Sequence, residues 1–128
     1  PLMFGEIDRI PVLGLPGNPV SSLVCAMIFL RPILAKMQGL KEVNQDIHRM
    51  VSASDLPAND RRQDYLRATI ENDGSHVETV RAFSKQDSSM MATLTKSDAL
   101  IIREPHAPAL EAGESVEVLK MPTGVCSC

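Results

Sequence analysis

Apolar residues near the start of the chain recur with the period of an amphipathic helix. The stripe follows the i, i+3, i+4, i+7, i+8 pattern and consists of Val20, Leu23, Val24, Met27 and Ile28. A short apolar run over residues 10–15 precedes it, and the turn sequence Pro-Gly-Asn-Pro at residues 16–19 joins the two. The pattern therefore predicts a strand, a tight turn and a helix.

The ends of this helix are indicated by residues with strong positional preferences. Asn18 is suited to the N-cap and Pro19 to the first helical position, where its missing N–H would be unpaired anyway. Pro32 is expected to kink the helix or open a new turn, because it removes a backbone donor. Gly39 is a good residue just beyond the C-terminal end.

After residue 39 the apolar pattern changes to the alternation typical of β-strands. One face of the segment over residues 61–70 carries Tyr65, Arg67 and Thr69, and the other carries apolar side chains. The Asp-Gly pair within residues 72–75 predicts a hairpin turn, and residues 88–95 are expected to form one or two helical turns. The remaining strands are predicted over residues 47–53, 76–83, 100–102 and 115–121. Several short strands with turns between them indicate a small barrel or sandwich.

Composition and charge narrow the functional classes. Residues 1–43 carry four basic and three acidic residues, a charge of +1, whereas residues 44–128 carry nine and 13, a charge of −4. The acidic second part and only four aromatic residues argue against a nucleic-acid-binding barrel. Three cysteines without a disulfide framework favour a reducing, cytoplasmic location. The longest apolar run has eight residues, too few for a membrane span, so no membrane partner is expected.

The strongest candidates for a ligand-binding site lie in the loop over residues 14–21. A strand that enters a glycine-containing turn and a helix N-terminus can bind an anion, because free N–H groups and the positive helix end converge there. Gly17 lets a ligand approach the backbone, Asn18 caps the helix and Ser21 adds a hydroxyl. A plain strand-to-helix connection with an asparagine cap is the alternative. No cluster of histidines and cysteines has metal-ligand spacing, so no metal is assigned to the chain.

Several motifs in the same order resemble a known family. They are Pro-Leu-Met-Phe-Gly at residues 1–5, Val-Leu-Gly-Leu-Pro-Gly-Asn-Pro-Val-Ser at 12–21, Phe-Leu-Arg-Pro at 29–32, Arg-Arg-Gln-Asp-Tyr-Leu-Arg at 61–67, Gln-Asp-Ser-Ser at 86–89 and Leu-Glu-Ala-Gly-Glu-Ser-Val at 110–116. Together they resemble the molybdopterin molybdenumtransferase family, whose eukaryotic counterpart is the C-terminal domain of gephyrin.

The resemblance implies a mainly β fold. Residues 1–43 would hold the last strand and helix of a molybdopterin-binding α/β domain, residues 44–121 a small C-terminal β-barrel domain, and residues 122–128 a tail. The chain would then be the C-terminal part of a longer, dimeric enzyme, and it is expected to be inactive alone. A non-catalytic protein-binding or scaffold module is the alternative.

The activity implied by the resemblance is insertion of molybdenum from molybdate into adenylylated molybdopterin, with a divalent cation such as magnesium. The acidic ligands of that cation would lie outside these 128 residues, so no cofactor is expected on this chain alone. By resemblance, the catalytic residues would be Pro16, Pro19, Arg67 and Ser88. The cofactor-binding residues would be Gly17, Asn18 and Ser21.

Overall fold

The structure is a computed structural model that describes residues 2–41, 45–74, 76–84, 86 and 95–122. The described residues divide into two compact units, one ending at Gln45 and one beginning at Asp46. The elements of the first unit are β1 (Met3–Ile7), β2 (Ile10–Gly14), α1 (Pro19–Cys25), a π-helical segment (Ala26–Leu30) and α2 (Arg31–Met37). Those of the second unit are β3 (Ile47–Ser52), β4 (Asp64–Asn72), β5 (Glu78–Ala82), β6 (Ala99–Arg103) and β7 (Ser115–Lys120).

The first unit opens with an antiparallel hairpin of β1 and β2, of which only β2 is predicted from the sequence. Ile7 pairs with Ile10, so the connection has two residues, Asp8 and Arg9. Both have positive φ, at 50° and 66°, as a type I′ turn requires. Aspartate is common at the first of these positions, but the second normally holds glycine and here holds Arg9, so the sequence pattern does not reveal the hairpin.

The helix begins as predicted and changes its hydrogen bonding in the middle. Asn18 is the N-cap and Pro19 the first helical residue. Pro32 has no N–H to donate to the carbonyl of Ile28, four residues earlier. The chain widens to π-helical bonding over Ala26–Leu30 just before this proline, and the side chain of Gln45 donates to the Ile28 carbonyl at 3.0 Å. At Pro32, where a kink or a new turn is predicted, the structure has a π-helical turn followed by α2.

The C-terminal end of α2 forms a glycine cap. Gly39 has a φ of 79° and donates its N–H to the carbonyl of Lys36, while Leu40 donates to Ala35. These two bonds are the Schellman pattern that the position of Gly39 predicts. Within the described unit the apolar stripe is only partly covered, with Val20, Met27 and Ile28 buried. By length and composition alone, the helix over Pro19–Met37 could cross a membrane, a criterion that core helices also meet.

The second unit is a closed five-stranded barrel in the order β3-β5-β4-β6-β7. The β3–β5 pair is parallel, and the other pairs are antiparallel. The barrel interior is a single apolar cluster of Met50, Leu56, Ala68, Val80, Ala99, Ile101, Val116 and Val118. The predicted fold class is confirmed, because the described chain is mainly strands and ends in a small barrel.

The predicted details of the barrel differ from the structure at its turns. The β4–β5 ladder ends at the pair Asn72 and Glu78. The hairpin predicted over residues 72–75 is therefore present, but its connection has five residues, among them Gly74 with a φ of 85°. Residues 87–94 lie outside the described residues, and the helical turns predicted over residues 88–95 are therefore not tested. The domain boundaries at residues 43/44 and 121/122 stay predictions.

Candidate functional site

The loop between β2 and α1 is held by the side chain of Asn18. Its Oδ1 atom accepts hydrogen bonds from the backbone N–H groups of Val20 at 3.0 Å and Ser21 at 3.1 Å. The carbonyl of Asn18 accepts the first helical bond, from Ser22 at 2.8 Å. Asn18 therefore fixes the direction in which the chain leaves the loop and enters the helix.

The same bonds define which donors the loop offers to a ligand. The N–H groups of Val20 and Ser21 already bind Asn18, and Pro19 has none. The first turn of α1 carries no acidic residue, so no carboxylate in that turn neutralises the positive end of the helix or repels an anion. The predicted anion site thus rests on the exposed backbone around Gly17 and on the half-buried hydroxyl of Ser21.

Gly17 lies in open space. A Cβ atom built at this position meets no other atom within 4 Å, and the residue does not adopt a positive φ. The chain's own packing and backbone therefore do not demand a glycine here. A side chain would, however, narrow the approach to the loop from solvent.

Arg67 lies on the outer face of β4, opposite Leu100 of β6. It shares this face with Tyr65 and Thr69, as the alternation predicts, while Ala68 points into the barrel. Only 3% of Arg67 is exposed, whereas an arginine on an outer strand face is usually solvated. Alternation identifies the face of a residue and cannot show whether that face is covered, so the sequence gives no sign of this burial.

The backbone of Arg67 is bound by the side chain of Gln86. The N–H of Arg67 donates to Oε1 of Gln86 at 2.9 Å. The Nε2 of Gln86 donates to the carbonyls of Arg67 at 3.0 Å and Phe83 at 2.9 Å. Gln86 belongs to the motif at residues 86–89, but the sequence assigns it no role of its own. Only the structure shows that this side-chain amide binds both the backbone N–H and the backbone carbonyl of Arg67.

Burial and hydrogen bonding shift the pKa values of Tyr65 and Arg81 in the barrel. Partial burial raises the pKa of Tyr65 above its ordinary value of 10.0, and the hydrogen bond from Gln63 offsets part of the rise. That bond joins Nε2 of Gln63 to the tyrosine hydroxyl at 2.8 Å. The hydrogen bond to Glu71 raises the pKa of Arg81, across an exposed 2.8 Å ion pair. Neither pair involves a predicted site residue.

The structure places the predicted site residues in separate parts of the chain. The loop residues Pro16, Gly17, Asn18, Pro19 and Ser21 are adjacent in the first unit, and Arg67 lies in the barrel unit. Ser88 lies outside the described residues. Across the part of the chain that the structure describes, no three His, Cys, Asp or Glu residues come together to hold a metal ion.

A surface cavity of about 660 Å³ opens beside the second half of β5. Leu66, Phe83 and Gln86 line it together with residues of the loop that follows β3. Of the predicted site residues that the structure describes, none is among its lining. Gln86 thus connects the wall of this cavity to the backbone of Arg67.

Comparison with known proteins identifies the barrel. The family model of the MoeA C-terminal region (domain IV) matches residues 49–121. The molybdopterin molybdenumtransferase of Haemophilus influenzae is 31% identical over 120 residues, which cover 92% of this chain and 30% of that protein. Gephyrin of Dictyostelium discoideum is 30% identical over 115 residues, which cover 84% of this chain and 16% of that protein.

Solved structures share the fold. The crystal structure of the molybdopterin biosynthesis moeA protein from Pyrococcus horikoshii matches with a TM-score of 0.71 and 22% identity, covering 92% of this chain and 29% of that one. The chain thus spans less than a third of the length of each of these relatives. The family resemblance that the sequence motifs predict is confirmed.

Proposed function

Because the chain belongs to the family of the MoeA C-terminal region (domain IV), we propose that it forms the C-terminal part of a molybdopterin molybdenumtransferase. The reaction would insert molybdenum from molybdate into adenylylated molybdopterin during molybdenum cofactor biosynthesis. The observation that carries the proposal is the similarity to the Haemophilus influenzae enzyme over 92% of this chain. The 128-residue chain alone would be inactive, because it corresponds to 30% of that enzyme.

Two groups of residues would take part. In the loop, Pro16 and Pro19 would hold the backbone rigid, because a proline ring fixes φ. The open space at Gly17 and the absence of acidic residues in the first turn of α1 support a role in binding an anionic phosphate or molybdate. Asn18 would set the geometry of the loop through its cap, and Ser21 would add a hydroxyl donor.

In the barrel, Arg67 and Ser88 would contact the oxyanion. A guanidinium offers a planar fork of donors that stays charged at physiological pH and fits a tetrahedral oxyanion. Arg67 is buried in the described chain, so contact with a substrate would require its guanidinium to become accessible. A homodimer, in which the barrel would reach a cleft of the neighbouring subunit, remains part of the proposal, as does a cytoplasmic location.

Magnesium is the cation that the resemblance implies, and the described residues of this chain do not fit it. They bring no three His, Cys, Asp or Glu side chains together in a possible site. We therefore assign no step of the reaction to a metal held by this chain. Molybdate and adenylylated molybdopterin would be the ligands.

The test uses the full-length product of the reading frame that contains this sequence. Arg67→Ala and Ser88→Ala are each expected to reduce molybdenum insertion by about a hundredfold or more, the scale of losing one positioned donor to an oxyanion. Arg81→Ala is the matched control, since Arg81 is an exposed barrel arginine bound to Glu71, and it should keep wild-type activity. Full activity in both site variants would show that the enzymatic role proposed for these two barrel residues is wrong.

A protein-binding or scaffold role is the second candidate. It is supported by exposed apolar side chains on the β1–β2 hairpin, among them Met3, Phe4, Ile7 and Ile10. Replacing Phe4 with serine should then abolish partner binding and leave molybdenum insertion unchanged. Under the enzymatic proposal, Arg67→Ala has the opposite effect, a loss of insertion with unchanged association.

A further inference from the structure

The side chain of Gln86 continues the β4–β5 ladder beyond the end of β5. The last paired residue of β5 is Ala82, which lies opposite Ala68. One residue further, the N–H of Phe83 still donates to the carbonyl of Arg67 at 3.0 Å. At Gln86 the side-chain amide takes the place of a strand peptide, because its oxygen accepts from Arg67 and its nitrogen donates back.

The arrangement uses every polar atom that the glutamine amide has along this edge. Oε1 accepts from the N–H of Arg67, while Nε2 donates one hydrogen to the Arg67 carbonyl and the other to the Phe83 carbonyl. A primary amide is the side-chain group that supplies one acceptor and two donors from adjacent atoms. Glutamate would accept from Arg67 but would face two carbonyl oxygens without a hydrogen to donate.

We propose that Gln86 is a positioning residue for Arg67. The inference rests on the proposed function, in which Arg67 contacts the molybdenum oxyanion. An arginine side chain reaches its target through four rotatable bonds, so a small rotation of its backbone moves the guanidinium a long way. The three bonds of Gln86 hold the Arg67 peptide and the end of β5 in one arrangement, and thereby fix the direction of the Arg67 Cα–Cβ bond.

The role is an indirect one. Gln86 donates and accepts only through the backbone of Arg67 and Phe83 in these bonds, so it contributes to catalysis without contacting the reacting atoms. A guanidinium displaced by about an ångström no longer lies at hydrogen-bond distance from the bound oxyanion, because such bonds weaken steeply beyond about 3.2 Å. Loss of the amide should therefore weaken molybdate binding strongly, although it removes no charge from the site.

The experiment measures molybdate dependence in the full-length product of the reading frame. Gln86→Ala and the near-isosteric Gln86→Glu are each expected to raise KM for molybdate about tenfold, with kcat changed by less than about twofold. Gln63→Ala is the matched control, because Gln63 also donates from its side chain to β4, but to the exposed hydroxyl of Tyr65. It should leave both constants unchanged.

A merely structural role predicts another result. If Gln86 only stabilised the fold, its variants would lower the amount of active enzyme, which reduces kcat and leaves KM unchanged; this outcome overturns the proposal. Arg67→Ala is assayed in parallel, so that an error in the proposal for Gln86 can be distinguished from an error in the proposed function of Arg67. A wild-type kcat/KM for molybdate in Arg67→Ala would contradict the role of Arg67 itself.

Hydrogen exchange gives a readout that does not depend on activity. In Gln86→Ala the amide of Arg67 loses its acceptor and should exchange at least about tenfold faster, whereas the amide of Ile101, in the barrel interior, should keep its rate. Gln86→Glu retains the acceptor and should protect the Arg67 amide. An unchanged Arg67 rate in Gln86→Ala would show that the glutamine does not hold this peptide, and the proposal would be wrong.

Discussion

Substitution of Asn18 separates helix capping from ligand binding, because the two roles need different properties of the same side chain. Asn18→Ala removes the acceptor of the Val20 and Ser21 N–H groups, which are held at 3.0 and 3.1 Å. Loss of an asparagine N-cap costs about 1 kcal/mol, within a range of about 0.5–2. Since about 1.4 kcal/mol corresponds to a factor of ten, the first turn should open about five times more often.

Two further variants retain the cap. Asn18→Ser keeps an uncharged acceptor, so both stability and activity should remain close to wild type. Asn18→Asp caps as well as asparagine, and its charge at the helix N-terminus adds about 0.3–1 kcal/mol of stability. The same charge lies in the loop proposed to bind an anion. Two like charges about 4 Å apart repel by about 1 kcal/mol in water and by about 4 kcal/mol near a protein surface.

The assay for capping is hydrogen exchange at the amides of Val20 and Ser21, and the assay for binding is KM for adenylylated molybdopterin in the full-length protein. Asn18→Ala should accelerate exchange about fivefold, the factor that corresponds to about 1 kcal/mol. Asn18→Asp should leave exchange unchanged or slower and raise KM about fivefold or more. Wild-type KM in Asn18→Asp would refute the anion-binding loop, and unchanged exchange in Asn18→Ala would refute the cap.

Three other predictions concern single positions. Gly17→Ala should change the free energy of unfolding by less than about 0.5 kcal/mol, as for surface substitutions, yet reduce molybdenum insertion; denaturation and activity are measured side by side. Leu100→Ala should destabilise the barrel by about 2–5 kcal/mol in urea unfolding, because Leu100 is fully buried on the outer face. The pKa of Tyr65 is raised by burial, so the unfolded state loses its proton first as the pH rises. The free energy of unfolding should therefore fall above about pH 10. It should fall less in Tyr65→Phe than in the wild type, and an equal fall in both proteins would contradict this role of Tyr65.

The first unit shows how far local sequence rules extend. Asn18, Pro19 and Gly39 occupy the positions that their preferences predict, because each acts through bonds within a few residues. The same local rules do not identify β1, because its turn has Arg9 at positive φ where glycine normally stands.

The barrel shows which properties depend on the tertiary structure. Alternation along β4 predicts correctly that Ala68 points inward and Arg67 outward. It cannot predict that the outer face is also covered, which leaves Arg67 and Leu100 at 3% and 0% exposure. The contact between Gln86 and Arg67 joins residues 19 positions apart, and no periodic pattern in the sequence encodes it.

The proposal that the chain supplies the C-terminal barrel of a molybdenum-inserting enzyme can be tested with two proteins, the full-length product of the reading frame and the 128-residue chain alone. In each, molybdenum transfer from molybdate into adenylylated molybdopterin is measured. We expect transfer by the first protein and none above background by the second. Transfer by the isolated 128 residues, or its absence in the full-length protein under conditions in which a related enzyme is active, would contradict the proposal.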